Sequence, residues 1–263
     1  MKKYLVIGNP IDHSLSPKLH NYWIAQNKIQ AIYEKKLINK NDIEKIINDV
    51  REKKIHGVNV TVPFKKDVIS YVDQLSTEAK ETESVNTIYL KDNKIIGHNT
   101  DIEGFELNIK HTKFNVTGKK IFILGAGGVV PSIIYALNRL KVSEIIISNR
   151  TKEKAENLKN LFKNITVINW GKVPDFDIVI NATSLGLNKN DVIGINFLKT
   201  QKNNLFYDVI YNPRITNFLK IGKELGYKTE NGKMMFVYQA LAAFEIWHNV
   251  KPRISNEILN LLD

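Results

Sequence analysis

Three polar segments in the first half of the chain carry side chains that could bind a small molecule. They span residues 8–17, 59–65 and 99–101, and each follows an apolar, strand-like run. They offer hydroxyls, amides, the amine of Lys65 and the carboxylate of Asp101 at strand ends, where α/β sheets bind ligands. This combination indicates a small, polyhydroxylated, anionic substrate. Each segment by itself is equally consistent with a turn or a helix cap.

A glycine turn near the centre of the chain indicates a dinucleotide site. An apolar run leads into Gly125-Ala126-Gly127-Gly128, and a helical pattern follows Val129 and Val130. Glycines let the backbone approach a pyrophosphate, and a helix N-terminus adds unpaired N–H groups and a positive field. Pro131 suits the first helical turn, where its missing N–H is not needed. Because Val130 occupies the third glycine position of the usual pattern, a tight turn without a ligand is the alternative.

The end of the next strand-like run favours NADP over NAD. It is followed by Asn149, Arg150 and Thr151. NAD sites place a carboxylate here to hold the ribose 2′-hydroxyl, whereas this chain has a neutral amide and then a guanidinium. A guanidinium can bind a 2′-phosphate through paired, charged hydrogen bonds, and Lys152 and Lys154 add positive charge. The alternative is a solvated helix start that Thr151 caps.

The surrounding elements alternate between apolar runs and amphipathic stretches, which is typical of an α/β protein with parallel sheets. In a first block we predict strands at 4–8, 31–37 and 57–63, helices at 17–27, 41–53 and 66–75, and a hairpin of 85–90 with 95–98. A second block starts near Gly118, with strands at 120–124, 144–148, 166–169, 178–181 and 205–209, and helices at 132–140, 152–162 and 215–225. A last helix is predicted over 235–247.

These elements predict two α/β domains. Residues 1–101 plus 238–263 would form a substrate-binding and catalytic domain with a mainly parallel sheet. Residues 102–237 would form a Rossmann-type NADP domain, so the last helices return to the first domain. Within the strand predicted at 57–63, Val58, Val60 and Val62 are expected on one face, and Asn59 and Thr61 on the other.

Composition excludes several classes of function. The 263 residues include no cysteine, which excludes disulfides, thiolate zinc sites and a cysteine nucleophile. The net charge is +11, but only five of the 38 basic residues are arginine, so we do not expect nucleic-acid binding. The histidines lack the spacing of metal ligands. No apolar run reaches the roughly 18–20 residues of a membrane span, and the N-terminus becomes polar too early for a signal peptide. We expect a cytoplasmic protein.

An ordered series of motifs runs through both predicted domains. It comprises Gly8-Asn9-Pro10, His13-Ser14-Leu15-Ser16-Pro17, Gly57-Val58-Asn59-Val60-Thr61-Val62-Pro63-Phe64-Lys65, Ser84-Val85-Asn86-Thr87, Asn99-Thr100-Asp101, Gly125-Ala126-Gly127-Gly128, Asn149-Arg150-Thr151, Asn181-Ala182-Thr183-Ser184-Leu185-Gly186, Tyr207-Asp208-Val209-Ile210-Tyr211-Asn212-Pro213, Asn231-Gly232, Met235 and Gln239-Ala240. Over nearly the whole chain, this series resembles the shikimate dehydrogenases. The resemblance implies NADPH-linked reduction of 3-dehydroshikimate to shikimate in aromatic amino-acid biosynthesis, without a metal.

The resemblance also implies roles for individual residues. Lys65 would be the catalytic amine and Asp101 its partner. The substrate would be surrounded by Ser14, Ser16, Thr61, Lys65, Asn86, Asp101, Tyr211 and Gln239, with the serines on its carboxylate and Asn86, Asp101 and Gln239 on ring hydroxyls. The cofactor would be bound by Gly125, Ala126, Gly127, Gly128, Val129, Asn149, Arg150, Thr151, Lys152, Lys154, Thr183, Ser184, Val209 and Gly232, with Thr183, Ser184 and Leu185 beside the nicotinamide.

Three other functions remain open. A quinate/shikimate dehydrogenase with relaxed use of NAD would favour a carboxylate at position 149 and a threonine at position 16, and neither is present. A catalytically silent, dehydrogenase-like sensor domain would be expected to lack Lys65 or Asp101. A Rossmann methyltransferase would have an acidic residue at the second strand end. Ile102, Val129 and Val130 depart from the usual family pattern, and a homodimer is one oligomeric state that the sequence leaves open.

Overall fold

A computed structural model describes residues 1–188, 190–198 and 203–263, which form two α/β units. The first unit combines Met1–Glu103 with Val237–Asp263, and the second is Gly104–Phe236. These divisions fall within two residues of the boundaries that the sequence predicts. Within the described residues, no helix has both the length and the apolar run that crossing a bilayer requires.

Six strands form the sheet of the first unit: β1 (Lys2–Gly8), β2 (Ala31–Leu37), β3 (Gly57–Val60), β4 (Gln74–Leu75), β5 (Thr87–Lys91) and β6 (Lys94–His98). Their order across the sheet is β2-β1-β3-β5-β6-β4. β1 runs parallel to β2 and β3, whereas β5 is antiparallel to β3 and β6. The predicted hairpin is therefore present as β5 and β6. Because β5 runs backwards, its start and the end of β6 reach the edge where β1 and β3 end.

Four α-helices begin in the N-terminal segment of this unit, Met1–Glu103: α1 (Ser16–Gln26), α2 (Ile43–Arg51), α3 (Thr77–Thr82) and α4 (Asp101–Thr112). α2 buries the apolar stripe Ile43, Ile46, Ile47 and Val50 in one cluster with the sheet residues, as its helical spacing predicts. The short helix α3 lacks a long apolar stripe, and the sequence analysis missed it. Its N-terminus is capped by Ser76, whose hydroxyl accepts from the N–H of Ala79.

Two predictions for residues 57–75 were wrong. The predicted strand ends early, at Val60, and Val62 is 57% exposed, whereas Val58 and Val60, expected on the same face, are buried. A turn begins there because Phe64 N–H bonds to Thr61 O, and Pro63 has no N–H with which to extend the ladder. The helix predicted at 66–75 is only a 3₁₀ segment, Asp67–Tyr71, and β4 follows it. Sheet pairing replaces the rest of that helix, since Asp73 N–H bonds to Ile95 O.

The second unit contains a wholly parallel sheet. Its strands are β7 (Lys120–Leu124), β8 (Glu144–Ser148), β9 (Ile165–Ile168), β10 (Ile178–Asn181), β11 (Leu205–Asp208) and β12 (Lys228–Glu230), in the order β12-β11-β10-β7-β8-β9. This is the doubly wound order of dinucleotide-binding folds, with the switch point between β7 and β10. The sequence analysis missed only β12 among these strands.

Among the described residues, three α-helices connect these strands: α5 (Val130–Arg139), α6 (Lys152–Asn157) and α7 (Asn217–Glu224). α6 is shorter than predicted, because a 3₁₀ segment replaces the helix at Leu158–Asn160. The chain ends with α8 (Lys233–His248) and α9 (Asn256–Leu261). The C-terminal part of α8 belongs to the first unit, so the last helices do return to it.

An aromatic cluster joins α8 to the first unit. His20 on α1 is 1% exposed, and its ring stacks on Tyr33 with centroids 4.1 Å apart and an interplanar angle of 2°. Trp247 and Phe244 of α8 lie at 5.6 and 6.0 Å from the same imidazole. Neither ring nitrogen of His20 has a hydrogen-bond partner among the described residues. Burial, assisted by His248, lowers the pKa of His20 to about 3.

We expect His20 to make the fold sensitive to acid. The unfolded chain binds a proton at this histidine near pH 6.5, whereas the folded chain does so only near pH 3. The free energy of unfolding therefore falls as pH drops through this window. His20→Leu should remove about 1.4 kcal/mol per pH unit from that slope, the value for one proton. Denaturant titrations at several pH values measure it, with exposed His13→Gln as the control. A slope equal to that of the parent protein would contradict the assignment.

Candidate active site

An ion pair between Lys65 and Asp101 stands at the carboxyl edge of the first sheet. Lys65 Nζ lies 2.5 Å from Asp101 Oδ2, and the two side chains are only 13% and 8% exposed. Lys65 lies in the turn after β3, and Asp101 is the first residue of α4, shortly after β6. Because β3 and β6 end at the same edge, the topology brings together residues that are distant in sequence.

The carboxylate of Asp101 is held on both oxygens. Asn86 Nδ2 donates to Asp101 Oδ1 at 2.9 Å and to Thr100 Oγ1 at 3.0 Å. The N–H of Thr100 donates to Asn86 Oδ1 at 2.8 Å, so the amide bonds at both ends. Asp101 is itself the first residue of α4, and its carboxylate contacts Lys65 and Asn86.

Three further polar side chains, those of Asn59, Thr87 and Tyr33, support this pair, and the sequence analysis gave none of them a role at the site. Asn59 Nδ2 donates to the carbonyl of Asn86 and to Thr87 Oγ1, both at 3.1 Å. Tyr33 donates its hydroxyl to Asn59 Oδ1 at 2.7 Å. All these groups are buried, so each hydrogen bond forms away from water. The sequence did give a signal for Asn59, which lies between valines and was expected on the same strand face as Thr61.

The predicted substrate residues Ser14, Ser16 and Thr61 lie at the same edge. Ser16 is the first residue of α1, is 8% exposed, and donates its N–H to Ser14 Oγ at 3.3 Å. Thr61 N–H donates to the carbonyl of Ile7 at 2.9 Å, which ties the turn after β3 to β1. The end of the sheet therefore presents hydroxyls, an amide, a carboxylate and an amine together.

Two predicted substrate residues lie on other elements. Gln239 is a half-buried residue of α8 and belongs to the first unit. Tyr211 belongs to the second unit, where its ring stacks on Phe236 with centroids 4.6 Å apart. Their contact with a substrate stays a prediction.

The turn after β7 fits a dinucleotide pyrophosphate. Gly125 has φ +111°, and a Cβ there would lie 2.7 Å from the carbonyl oxygen of Ala182, so only glycine suits this position. Gly127 and Gly128 are exposed, and their N–H groups donate to no residue in the part of the chain that the structure describes. α5 begins at Val130, with Pro131 in its first turn as predicted. Open N–H groups at a helix N-terminus suit an anion.

The turn after β8 presents the predicted 2′-phosphate residues. Asn149 Nδ2 donates to the carbonyl of Thr151 at 2.7 Å and thereby fixes the turn. Arg150, Lys152 and Lys154 are exposed. Thr151 occupies the N-cap position of α6, but its side chain makes no capping hydrogen bond to the described residues. The cap that the alternative expected from Thr151 is therefore absent among the described residues, and the exposed cations follow the end of β8.

The remaining predicted cofactor residues follow β10, β11 and β12 in the second unit. Thr183 donates its hydroxyl to Asn181 Oδ1 at 2.7 Å, and Ser184 beside it is exposed. Val209 directly follows β11. Gly232 is buried, and a Cβ there would overlap the carbonyl oxygen of Val209. The structure therefore places these residues at the carboxyl ends of adjacent strands.

Known proteins resemble this chain over its whole length. The family model described as the shikimate dehydrogenase substrate binding domain matches residues 6–88, and the model described as shikimate / quinate 5-dehydrogenase matches residues 108–216. A shikimate dehydrogenase (NADP(+)) of Pelagibacter ubique is 58% identical over 100% of this chain and 99% of its own length. The chain belongs to the shikimate dehydrogenase family.

Solved structures of shikimate dehydrogenases share the fold. One, crystallised in complex with NADP+, has a TM-score of 0.90 and 33% identity, covering 100% of this chain and 94% of its own. The enzyme of Thermus thermophilus, in complex with NADP(H) and shikimate, has a TM-score of 0.88 and 27% identity, covering 100% and 97%. The two-domain α/β fold with a Rossmann-type domain is therefore confirmed.

One departure from the shikimate dehydrogenase pattern has a structural outcome. Ile102 lies in the first turn of α4 and is 1% exposed. It packs as a helix residue, so the polar turn still ends at Asp101. Among the described residues, no three histidine, aspartate or glutamate side chains form a group that could hold a metal ion.

Proposed function

We propose that this protein catalyses the reversible NADPH-linked reduction of 3-dehydroshikimate to shikimate, the reaction of its family. The observation that carries the proposal is the Lys65–Asp101 pair, whose atoms lie 2.5 Å apart at the edge of the first sheet. A silent sensor domain would not require this pair, since an amine and a carboxylate held together in a mostly buried site serve proton transfer.

The chemistry that NADPH supplies when bound is a hydride for the ketone carbon of the substrate. The chain supplies the proton. Lys65 Nζ holds a proton for the oxygen that becomes an alcohol, and in the reverse direction it receives that proton. Asp101 Oδ2 directs the ammonium, while Asn86 fixes the other carboxylate oxygen. The amine is thus oriented before the substrate arrives.

The polar groups around this pair would orient the substrate. We assign the substrate carboxylate to the hydroxyls of Ser14 and Ser16, and ring hydroxyls to Asn86, Asp101 and Gln239. Thr61 and Tyr211 complete the set that the family resemblance implies. Direct hydroxyl and amide contacts make such a site reject analogues that lack a hydroxyl, because buried polar groups would then be left unpaired.

The second unit would bind the cofactor at two points. The N–H groups of the 125–129 turn would hold the pyrophosphate, and Asn149 to Lys154 would surround the 2′-phosphate. Arg150 would be the main partner of the 2′-phosphate, since the end of β8 has no carboxylate that would repel this phosphate. Thr183, Ser184, Val209 and Gly232 would contact the nicotinamide end. The cytoplasmic location and a homodimer stay predictions from the sequence.

We expect the purified protein to oxidise shikimate with NADP and to reduce 3-dehydroshikimate with NADPH, followed by the absorbance of NADPH. Quinate with NAD serves as the comparison, because the family description also names quinate. Faster turnover of quinate with NAD would favour the dual-specificity alternative. Absence of any change with either pair, in folded protein at high concentration, would favour a silent sensor domain.

Replacement of Lys65 should act mainly on turnover. We expect Lys65→Ala to lower kcat by about 10²–10⁴-fold, the usual contribution of a general acid–base group, with little change in the KM for shikimate. Asp101→Ala should change both kcat and KM, because its carboxylate would hold a ring hydroxyl and also orient Lys65. The matched control is Lys66→Ala, since Lys66 is the exposed neighbour paired with Glu83. Near-normal turnover of Lys65→Ala would remove Lys65 from the chemistry.

Replacement of Arg150 should separate the two cofactors. We expect Arg150→Ala to raise the KM for NADP by about ten- to a hundredfold, as loss of a charge-assisted hydrogen bond does. Residual use of NAD should be unchanged, since NAD has no 2′-phosphate. Steady-state kinetics with both cofactors measure this, with Arg253→Ala as an exposed-arginine control in the first unit. Equal weakening toward NADP and NAD would show that Arg150 serves the fold instead.

A further inference from the structure

Two buried polar residues end adjacent strands of the second sheet, and the proposed mechanism does not use them. Asn181 is the last residue of β10, and Asp208 is the last residue of β11. They are directly paired in the strand register, and each is fully buried. Asn181 Nδ2 donates to Asp208 Oδ1 at 3.1 Å. A carboxylate in such a place costs free energy, so its hydrogen bonds must compensate for its burial.

Asn181 fixes the loop that follows β10. Its Oδ1 accepts both the N–H and the hydroxyl of Thr183, at 3.1 and 2.7 Å. Its Nδ2 donates to the carbonyl of Leu185 at 3.0 Å, and the N–H of Leu185 donates to Thr183 Oγ1 at the same distance. One amide therefore holds Thr183 and Leu185, the residues on either side of the exposed Ser184.

Asp208 fixes the loop that follows β11. Its Oδ1 accepts the N–H of Ile210 at 3.0 Å, and its Oδ2 accepts the hydroxyl of Thr216 at 2.6 Å. Thr216 in turn caps α7 by accepting the N–H of Leu219. All three hydrogen bonds to the carboxylate, including that from Asn181, are donated to it, which is the pattern of an ionised group. Burial raises the pKa of Asp208 to about 6, while these donors act against that rise.

These two loops pack against the predicted cofactor turns. The carbonyl of Ala182, one residue after Asn181, occupies the space that a side chain at Gly125 would fill. The carbonyl of Val209, one residue after Asp208, occupies the space beside Gly232. A shift of the loop after β10 would therefore displace Thr183 and Ser184 and disturb the glycine turn at Gly125. A shift of the loop after β11 would disturb the position of Gly232.

We propose that Asn181 and Asp208 form a positioning pair that fixes the nicotinamide end of the cofactor site. The pair acts through Thr183, Ser184, Val209 and Gly232, and it touches neither substrate nor cofactor. The proposal rests on the proposed function for the assignment of these four residues to the nicotinamide. The 2′-phosphate end, at Arg150 after β8, belongs to a different turn and does not depend on the pair.

The test compares a whole cofactor with a fragment. NADP+ carries the nicotinamide, whereas adenosine 2′,5′-bisphosphate carries only the end that Arg150 would bind. We expect Asp208→Ala to raise the Kd for NADP+ by about tenfold and to lower kcat by about ten- to a hundredfold, as small misplacements do. Calorimetry should give an unchanged Kd for the bisphosphate. Asp208→Asn keeps an acceptor for Ile210 and should restore much of the turnover.

Asp177→Ala is the matched control. Asp177 precedes β10 at the opposite edge of the same sheet and also accepts a backbone N–H, from Lys120 at 2.9 Å. Its loss should lower the unfolding temperature without changing either Kd. If Asp208→Ala does not fold, Thr216→Val removes one donor to the carboxylate and should weaken NADP+ binding in the same selective way.

Three results would overturn the pair's positioning role. The first is that Asp208→Ala weakens the binding of NADP+ and of the bisphosphate equally. The second is that Asp177→Ala gives the same selective loss of NADP+ binding. The third is that folded Asp208→Ala or Thr216→Val keeps the kcat and the Kd for NADP+ of the parent protein. Failure of the proposed function gives a different result, because the parent protein would then not turn over shikimate. The two Kd values would still test the pair.

Discussion

The direction of one strand, β5, determines whether Asn86 can reach the Lys65–Asp101 pair. In a wholly parallel sheet, Asn86 would lie at the opposite edge from the end of β3, because it directly precedes β5. The antiparallel hairpin instead brings Asn86 to the edge where β3 ends, and it brings the chain back along β6 to Asp101. The amide of Asn86 then links Thr100 with Asp101, and the carboxylate meets the amine of Lys65.

Buried asparagines play equivalent roles in the two units. Asn86 in the first unit and Asn181 in the second each accept on Oδ1 and donate from Nδ2, so one side chain ties several backbone and side-chain groups. An ionised aspartate accepts hydrogen bonds but cannot donate them. A glutamine can do both, but its side chain has one more rotatable bond, which costs additional conformational entropy to fix. Because unpaired polar groups are costly inside a protein, such saturated networks fix the geometry around them.

The groups assigned to the substrate and those assigned to the 2′-phosphate differ in exposure. Lys65 and Asp101 are mostly buried and already paired, so little rearrangement is needed for their interaction. Arg150, Lys152 and Lys154 are exposed, so solvent and salt screen their attraction for an anion. The first arrangement suits chemistry that requires a fixed proton donor. The second suits recognition of a charged group that must enter and leave.

The sequence by itself determined the α/β class, the order of most strands and helices, the glycine turn and the family motifs. These follow from local patterns, such as the apolar stripe of α2 and the strand-turn-helix signature around Gly125, whose physical causes lie within a few residues. The residues proposed for catalysis were also named from sequence, through the family resemblance. The end of β3 at Val60 could not be predicted in this way. The loss of the helix at 66–75 could not be predicted either, because the hydrogen bond between Asp73 and Ile95 pairs this segment with the sheet and competes with local helical spacing.

Only the tertiary structure decided which polar side chains support others. The sequence shows three polar residues in apolar strands, Asn59, Asn181 and Asp208, but it does not show which residues they bind. Their hydrogen bonds join residues on different strands, and the partners are set by register and strand direction. A local pattern contains neither quantity, since both depend on how distant segments pair. For the same reason, the contacts of the Asp101 carboxylate with Lys65 and Asn86 follow only from the meeting of β3, β5 and β6 at one edge.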